Sequence, residues 1–251
     1  ETWTGVWHGA PKSVLIEQTY PGEDDHREHF ESLLPAFLDP RYIKVNGKPL
    51  FAIYNPHGIP DTKRTIERWQ KFAKNAGLSG IHFVGVSGSA SWNPIDLGFN
   101  AKILQLGFNR RDWVSKRTPI KWLKKKFGFW HGEPTKQSYN EYWDIFLSFL
   151  EKEKKEDKYP SYPSIVHAWD NTPRSGNNGF VLTNDNPKKF SEYLFYVKQC
   201  LKNEKDENNF IFLKSWNEWA EGNHLEPDFK YGSQWLSAIQ KFLSDGDRKA
   251  E

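Results

Sequence analysis

The sequence predicts an α/β fold, and specifically part of a (β/α)8 barrel of the TIM type. Apolar runs of strand length alternate with longer segments whose apolar residues recur at helical spacing, which is typical of strand–helix units around a parallel sheet. The runs are apolar throughout, as expected of strands that are covered on both faces. Polar residues collect just after the runs, at the edge where a barrel carries its chemistry. No glycine-rich fingerprint follows a strand, which disfavours a dinucleotide-binding fold.

The predicted elements follow this alternation in chain order. An amphipathic helix over residues 24–38 precedes a tight turn at Asn46 and Gly47. The first strand candidate, residues 50–54, leads to a helix that has Asp61 as its N-cap and Gly77 at its end. The other strand candidates cover residues 81–86, 101–106, 164–168 and 210–215, and the other helices cover residues 139–154, 187–203 and 232–243. Residues 107–138 are predicted to be irregular, as an insertion or variable loop within one domain over residues 1–251.

The number of strands bears on how much of a barrel is present. Five strand candidates are fewer than the eight strands of a closed barrel. We therefore expect the chain to form the C-terminal two-thirds of such a barrel, without its first three strands. The chain begins at Glu1 and contains no Met, which indicates a piece of a longer reading frame.

The amino-acid composition argues against several kinds of binding partner and cofactor. A net charge of +3 is too small to indicate a nucleic-acid partner, and the single cysteine, Cys200, excludes an intramolecular disulfide. No apolar run reaches the length of a membrane span. His26 and His29 have a spacing that could hold a metal, but their neighbours are those of a solvated helix. We therefore expect neither a metal nor another cofactor.

The segment after the last strand candidate carries the strongest functional signal. Glu218 and Glu221 follow residues 210–215 directly, with Trp216 and Trp219 beside them. Carboxylates manage protons and positive charge in glycoside chemistry, and indole rings stack on sugars. A helical turn would bring both acids out on one side, with Cβ atoms about 5–6 Å apart. Such a pair suits a route in which both acids act from one side of the sugar. The alternative is a solvated acidic turn with tryptophans packed beneath it.

Other candidate binding residues lie around this pair and after the preceding strand. Asn217, His224 and Glu226 are candidates to contact the substrate, or to support the loop that does. Trp169, Asp170, Asn171 and Arg174 follow the strand at residues 164–168 and form a second polar cluster. The alternative for that cluster is an Asp–Arg pair that braces the loop over residues 175–186. Trp3, Trp7 and Trp92 are candidate platforms for sugar stacking, with core packing as the alternative.

Several segments together resemble one family. They are 215–222 (SWNEWAEG), 224–228 (HLEPD), 15–20 (LIEQTY), 34–42 (LPAFLDPRY), 47–51 (GKPLF), 63–66 (KRTI) and 169–174 (WDNTPR). The chain resembles proteins related to glycoside hydrolase family 99, and more closely their bacterial surface-polysaccharide branch, the WbsX-like glycosyltransferases. The resemblance extends over nearly the whole chain and is weakest over residues 107–138.

The resemblance implies a (β/α)8 barrel that acts on an oligosaccharide or polysaccharide without a metal. The hydrolases of this family cleave internal α-mannosidic linkages with retention. By resemblance, Glu218 assists the 2-hydroxyl of the sugar and Glu221 is the acid/base. Residues 1–7 look like the end of the third barrel strand, with departures from the family pattern at Thr2, Gly5 and Val6.

Three functions remain open from the sequence. The first is a retaining hydrolase of endo-α-mannosidase type, which the glutamate pair favours. The second is a glycosyltransferase of surface-polysaccharide biosynthesis, which the closer branch favours. The third is a glycan-binding module without catalysis, which the aromatic residues alone would satisfy.

Overall fold

The computed structural model describes residues 2–5, 10–86, 92–105, 133–156, 159–201 and 210–247. The chain divides into two compact units. The first consists of residues 1–105, 156–163 and 204–212, and the second of residues 106–155, 164–203 and 213–251. No helix among the described residues is both long and apolar enough to cross a membrane.

The first unit begins with a two-stranded antiparallel ribbon. Strand β1 (Trp3–Gly5) pairs with strand β2 (Ala10–Ile16), starting from Trp3 opposite Ile16. Among the described residues, β1 therefore belongs to its own small sheet and not to the main one. This differs from the expectation that residues 1–7 end a parallel barrel strand, because the nearby β2 supplies antiparallel backbone partners.

The main sheet runs through the middle of the sequence. Its strands in chain order are β3 (Lys44–Val45), β4 (Lys48–Tyr54), β5 (His82–Val86), β6 (Ala101–Gln105), β8 (Ser161–Val166) and β10 (Phe212–Lys214). Their spatial order is β10-β8-β6-β5-β4-β3. Strands β4, β5 and β6 are parallel, with Leu50 opposite His82 and Val84 opposite Ala101. The α/β class with a parallel sheet is thus confirmed.

Two helices cover the sheet within the first unit. Helix α1 (Glu23–Leu38) and helix α2 (Thr62–Asn75) pack on each other. The side chain of Asp61 accepts a hydrogen bond from the backbone N–H of Arg64, which confirms the predicted N-cap. The core lies between these helices and the strands, and its buried members are Phe30, Phe37, Ile66, Trp69, Ala73, Ile81, Phe83, Trp92 and Phe99.

Trp92 belongs to this core and is not an exposed platform. The residue is 8% exposed, and its ring packs edge-on against Phe99 at 5.7 Å between centroids. A Cβ atom placed on Gly85 would lie 2.5 Å from the same indole, so β5 carries glycine at the point of contact. The core-packing interpretation is therefore correct for this tryptophan.

The second unit contains three long helices and a short two-stranded sheet. Helix α3 (Tyr139–Glu156), helix α5 (Pro187–Leu201) and helix α6 (Gln234–Asp247) are its long helices in the described residues. Trp143 of α3 stacks on Tyr193 of α5, with 4.7 Å between ring centroids and 5° between planes. Strand β7 (Thr135–Ser138) pairs in parallel with strand β9 (Phe180–Thr183). The prediction of irregular structure up to residue 138 is wrong over these four residues, and residues 106–132 lie outside the described part.

Candidate active site in the second unit

The two predicted catalytic residues lie on one tight hairpin. Strand β11 (Asn217–Glu218) pairs antiparallel with strand β12 (Asn223–His224), and a 3₁₀ turn over Trp219–Glu221 joins them. Glu218 therefore ends a strand and Glu221 ends the turn. The predicted helical turn between the two acids is present, in its tighter 3₁₀ form.

Gly222 allows this hairpin to approach the segment that follows β8. Its φ angle is +55°, and an added Cβ would lie 3.1 Å from both the backbone nitrogen and the Cβ of Asp170. The backbone N–H of Asp170 donates a hydrogen bond to the carbonyl oxygen of Glu221 at 2.8 Å. A residue with a side chain would separate these two backbones, so the sequence has glycine here.

Asn223 holds the base of the hairpin from within the core. It is 0% exposed, and its Nδ2 donates to the carbonyl oxygen of Ala168 at 2.7 Å and to that of Lys214 at 2.9 Å. Its own carbonyl accepts a hydrogen bond from Oγ of Ser215 at 2.8 Å. The ends of strands β8 and β10 and the hairpin are thereby joined by one side chain. Sequence reasoning missed this residue, because only its partners reveal its role.

Arg174 lies against both glutamates. It belongs to the short helix α4 (Thr172–Ser175), and its Nη2 donates to Oε1 of Glu218 at 2.8 Å. Its Nη1 lies 3.5 Å from Oε1 of Glu221. Because one planar guanidinium reaches both carboxylates, the two acids face the same side of the hairpin. The positive charge also offsets the repulsion between them.

Lys214 is a second cation at the site, and sequence reasoning did not select it. Its Nζ lies 3.9 Å from Oε2 of Glu221 and 4.4 Å from the ring centroid of Trp169. Burial lowers the pKa of Lys214, while the charges of Glu221 and Glu218 act in the opposite direction. The available signal was a lysine at the end of an otherwise apolar strand.

Aromatic and acidic residues continue the site beyond the pair. The ring of Trp219 stacks on His224, with 3.6 Å between centroids and 14° between planes. Its Nε1 donates to Oε2 of Glu226 at 2.6 Å, and Nε2 of His224 lies 3.3 Å from Oδ2 of Asp228. Trp216 and Trp219 stay 55% and 49% exposed. Half-exposed indoles on a braced loop are suited to stack on a ligand.

The polar cluster after β8 divides into two kinds of residue. Oδ1 of Asp170 accepts from the backbone N–H and the hydroxyl of Thr172, and Oδ1 of Asn171 accepts from the N–H of Phe180. These contacts brace the loop backbone, whereas Arg174 turns to the glutamates. Trp169 is 6% exposed, so its ring is no open platform and serves as a wall beneath Lys214.

Two predicted binding residues, Trp3 and Trp7, are far from the hairpin in the sequence. Trp3 is 66% exposed and belongs to the first unit. Trp7 lies outside the described residues. Within the part of the chain that the structure describes, no three metal-binding side chains come together.

His167 supports the hairpin from below. It is 1% exposed, and its Nε2 lies 2.8 Å from the carbonyl oxygen of His224, to which it donates. Burial lowers the pKa of His167 to about 4, so the ring is neutral at pH 7. Its edge packs on Trp235 of helix α6 at 4.9 Å between centroids.

Two solved structures are similar in fold and are of glycoside hydrolase type. One is a glycoside hydrolase-like protein, with a TM-score of 0.56 and 16% identity over 90% of this chain and 62% of that one. The other is the GH99 endo-alpha-mannosidase from Bacteroides thetaiotaomicron, with a TM-score of 0.55 and 18% identity over 92% of this chain and 64% of that one.

The model of the family described as Glycosyltransferase WbsX matches residues 1–239, and the chain belongs to this family. Its curated relatives include the uncharacterized protein WxcX of Xanthomonas campestris pv. campestris, in strain B100 and in strain ATCC 33913. Each relative is 29% identical to this chain, and the match covers 97% of this chain. The chain spans 34% of the length of each of these relatives.

Proposed function

We propose that this chain carries the active site of a glycan-active enzyme, a retaining glycoside hydrolase of endo-α-mannosidase type. The observation that carries the proposal is the shared contact of Glu218 and Glu221 with Arg174. Acids that face one side of a short hairpin cannot flank a sugar ring from opposite faces. They can instead act together on two oxygens at one side of it. Family membership and the likeness in fold to a GH99 endo-alpha-mannosidase support the same assignment.

The proposed first step breaks the glycosidic bond without a protein nucleophile. Glu218 accepts the proton of the sugar 2-hydroxyl, and that oxygen attacks the anomeric carbon. Glu221 gives a proton to the leaving oxygen as the glycosidic bond breaks. The product of this step is a 1,2-anhydro sugar and a free sugar hydroxyl on the leaving group.

The second step reverses the proton movements. Glu221 accepts a proton from a water molecule, whose oxygen forms the new bond to the anomeric carbon. The bond from that carbon to the 2-oxygen breaks, and Glu218 returns the proton to it. Two inversions at the anomeric carbon give net retention.

The exposed aromatic residues supply the binding surface in this proposal. Trp216 and Trp219 flank Glu218 in sequence and keep about half of their surface accessible. We assign them to stacking on the apolar faces of sugar rings. Glu226 and His224 fix the plane of the Trp219 indole, one by a hydrogen bond and the other by stacking. We also propose that the parallel sheet of this chain is part of a (β/α)8 barrel.

A glycosyltransferase of surface-polysaccharide synthesis is the second candidate, because the family carries that description. Transfer would use the same acids, with a sugar hydroxyl of an acceptor in place of water in the second step.

One experiment separates these functions. The protein is incubated with α-mannan oligosaccharides, alone and with equimolar GDP-mannose, UDP-glucose and UDP-galactose, and the products are followed by mass spectrometry. New reducing ends without a nucleotide sugar support hydrolysis, and extension that requires one supports transfer. Absence of both products, with retained binding to the oligosaccharides, would replace the enzyme by a glycan-binding module. The E218Q/E221Q double variant is the matched control and should give no product.

A further inference from the structure

The side chain of Lys214 makes contacts that are not needed to hold the loop in place. Its backbone carbonyl accepts a hydrogen bond from Asn223, and this contact is independent of the side chain. The side chain crosses the buried ring of Trp169 and ends beside Glu221. About a third of the side chain is exposed. A lysine whose only task was to fill this position could be replaced by an apolar residue without the cost of burying an ammonium group.

The charges around Glu221 are arranged on two sides of its carboxylate. Arg174 contacts Oε1, at 3.5 Å, and Lys214 lies 3.9 Å from Oε2. Glu218 also contacts Arg174, and its negative charge interacts with the ammonium group of Lys214. The backbone of Asp170 contacts the carbonyl of Glu221, while the Asp170 carboxylate bonds to Thr172. The two cations therefore restrict both oxygens of one carboxylate.

We propose that Lys214 is a positioning residue, which orients the Glu221 carboxyl group for proton transfer. Trp169 fixes the ammonium group by a cation–π contact, so that its charge stays directed at Oε2 of Glu221. This inference rests on the proposed function, in which Glu221 exchanges a proton with the leaving group.

The kinetic test compares substrates that do and do not need a proton. On α-mannan oligosaccharides, Lys214→Met should lower kcat by about tenfold or more and leave KM within about twofold. On an α-mannosyl fluoride, whose leaving group departs without protonation, the same variant should release fluoride in the first turnover at a rate within about twofold of that of the parent protein. Lys214→Arg keeps the positive charge and should recover part of the loss. Lys241→Met, the same change at an exposed position of helix α6, is the control and should match the parent.

Two kinetic outcomes would overturn the proposal. One is full activity of Lys214→Met on the oligosaccharides. The other is an equal loss on the oligosaccharides and on the fluoride, since that would indicate general damage to the fold of the site.

A spectroscopic measurement tests the same proposal without turnover. Carboxyl groups are labelled with ¹³C in glutamate, and the signal of Glu221 is identified by its loss in E221Q. Because the ammonium group lies beside Oε2 of Glu221, its removal in Lys214→Met should change the chemical shift of that signal at pH 7, whereas Lys241→Met should leave it unchanged. If the parent protein shows no turnover, the proposed function fails, yet an unchanged Glu221 signal in Lys214→Met would still refute the role of Lys214 separately.

Discussion

Arg174 donates a hydrogen bond to Oε1 of Glu218 across 2.8 Å, although 44 positions separate the two residues in sequence. Arg174 belongs to the short helix α4, and Glu218 belongs to the hairpin over β11 and β12. The contact joins the loop after β8 to the loop after β10. Two separate polar clusters of the sequence thus form a single arrangement of side chains in the second unit.

Substitution of Arg174 should affect activity much more than stability. Arg174→Met leaves the two carboxylates without their shared cation, and we expect kcat/KM on α-mannan oligosaccharides to fall about 100-fold. Arg174→Lys should recover only part of this, because a single ammonium cannot reach both acids as a planar guanidinium does. Steady-state kinetics measures kcat/KM of both variants. Arg41→Met, at a position 89% exposed, is the control and should have no effect. Equal activity of both Arg174 variants and the parent would contradict the assignment.

The two glutamates should respond differently to an activated substrate. Glu221→Gln cannot protonate a leaving oxygen, so hydrolysis of oligosaccharides should fall about 10³-fold. On an α-mannosyl fluoride, whose leaving group needs no proton, the release of fluoride in the first turnover should largely recover, although the second step still lacks its base. Glu218→Gln should be inactive on both substrates, because assistance to the 2-hydroxyl is needed whatever the leaving group. The rates of the first turnover of the two variants on the two substrates are compared. If Glu221→Gln retains full activity on the unactivated oligosaccharides, its acid/base role is wrong.

The strand and turn that carry the two glutamates could be predicted from local sequence, since their residues are close in the chain. The apolar run at 210–215 and the spacing of the acids predicted a strand followed by a turn, and both are present, with the strand at Phe212–Lys214. Helix α2 was predicted with its N-cap, because capping and periodicity are local properties.

Other features depend on contacts that no local pattern reveals. Strand β7 has the sequence Thr-Lys-Gln-Ser, which has no apolar residue, and it is a strand because β9 pairs with it. The roles of Asn223, His167 and Lys214 follow from partners far along the chain or from burial. Trp92 was a possible platform by residue type alone, and only its packing against Phe99 places it in the core.

Gly222→Ala should destabilise the protein through its close approach to Asp170. Part of the cost is the positive φ angle of 55°, and part is the 3.1 Å contact of a new Cβ with the Asp170 backbone. Together we expect about 3 kcal/mol lower free energy of unfolding. Gly77→Ala separates the two effects, because Gly77 also has a positive φ, of 84°, but nothing lies within 4 Å of an added Cβ. It should cost about 1 kcal/mol in urea unfolding. Equal costs for the two variants would show that the approach to Asp170 is unimportant.

Asn223→Ala should also lower stability, since it leaves the buried carbonyl of Ala168 and the partly buried carbonyl of Lys214 without this donor. We expect a loss of about 2–4 kcal/mol in the free energy of unfolding. Asn223→Asp should cost at least as much, because it places an acceptor where a donor is needed. Asn93→Ala is the control, because it removes two exposed contacts, to Asp96 at 2.8 Å and from the backbone N–H of Ile95 at 3.0 Å, and should cost about 1 kcal/mol or less. A loss for Asn223→Ala no larger than for Asn93→Ala would contradict the bracing role.

The stability of the second unit should depend on pH through His167. Its pKa is about 4 in the folded protein, against 6.5 as the ordinary value, because burial disfavours the charged ring. The unfolded chain therefore binds a proton at a higher pH than the folded one. The contribution to stability is complete above pH 6.5, falls as the pH is lowered, and is lost below about pH 4. It amounts to about 3 kcal/mol by linkage.

His167→Gln keeps a donor but cannot titrate in this range. Urea unfolding of the parent, followed by tryptophan fluorescence between pH 7.5 and 4, should show a decline that is shallower in His167→Gln. His57→Gln, at an exposed position, is the matched control and should retain the slope of the parent. Identical slopes for the parent and His167→Gln would mean that the imidazole takes up its proton without disturbing the folded hairpin, contrary to its burial against the carbonyl of His224.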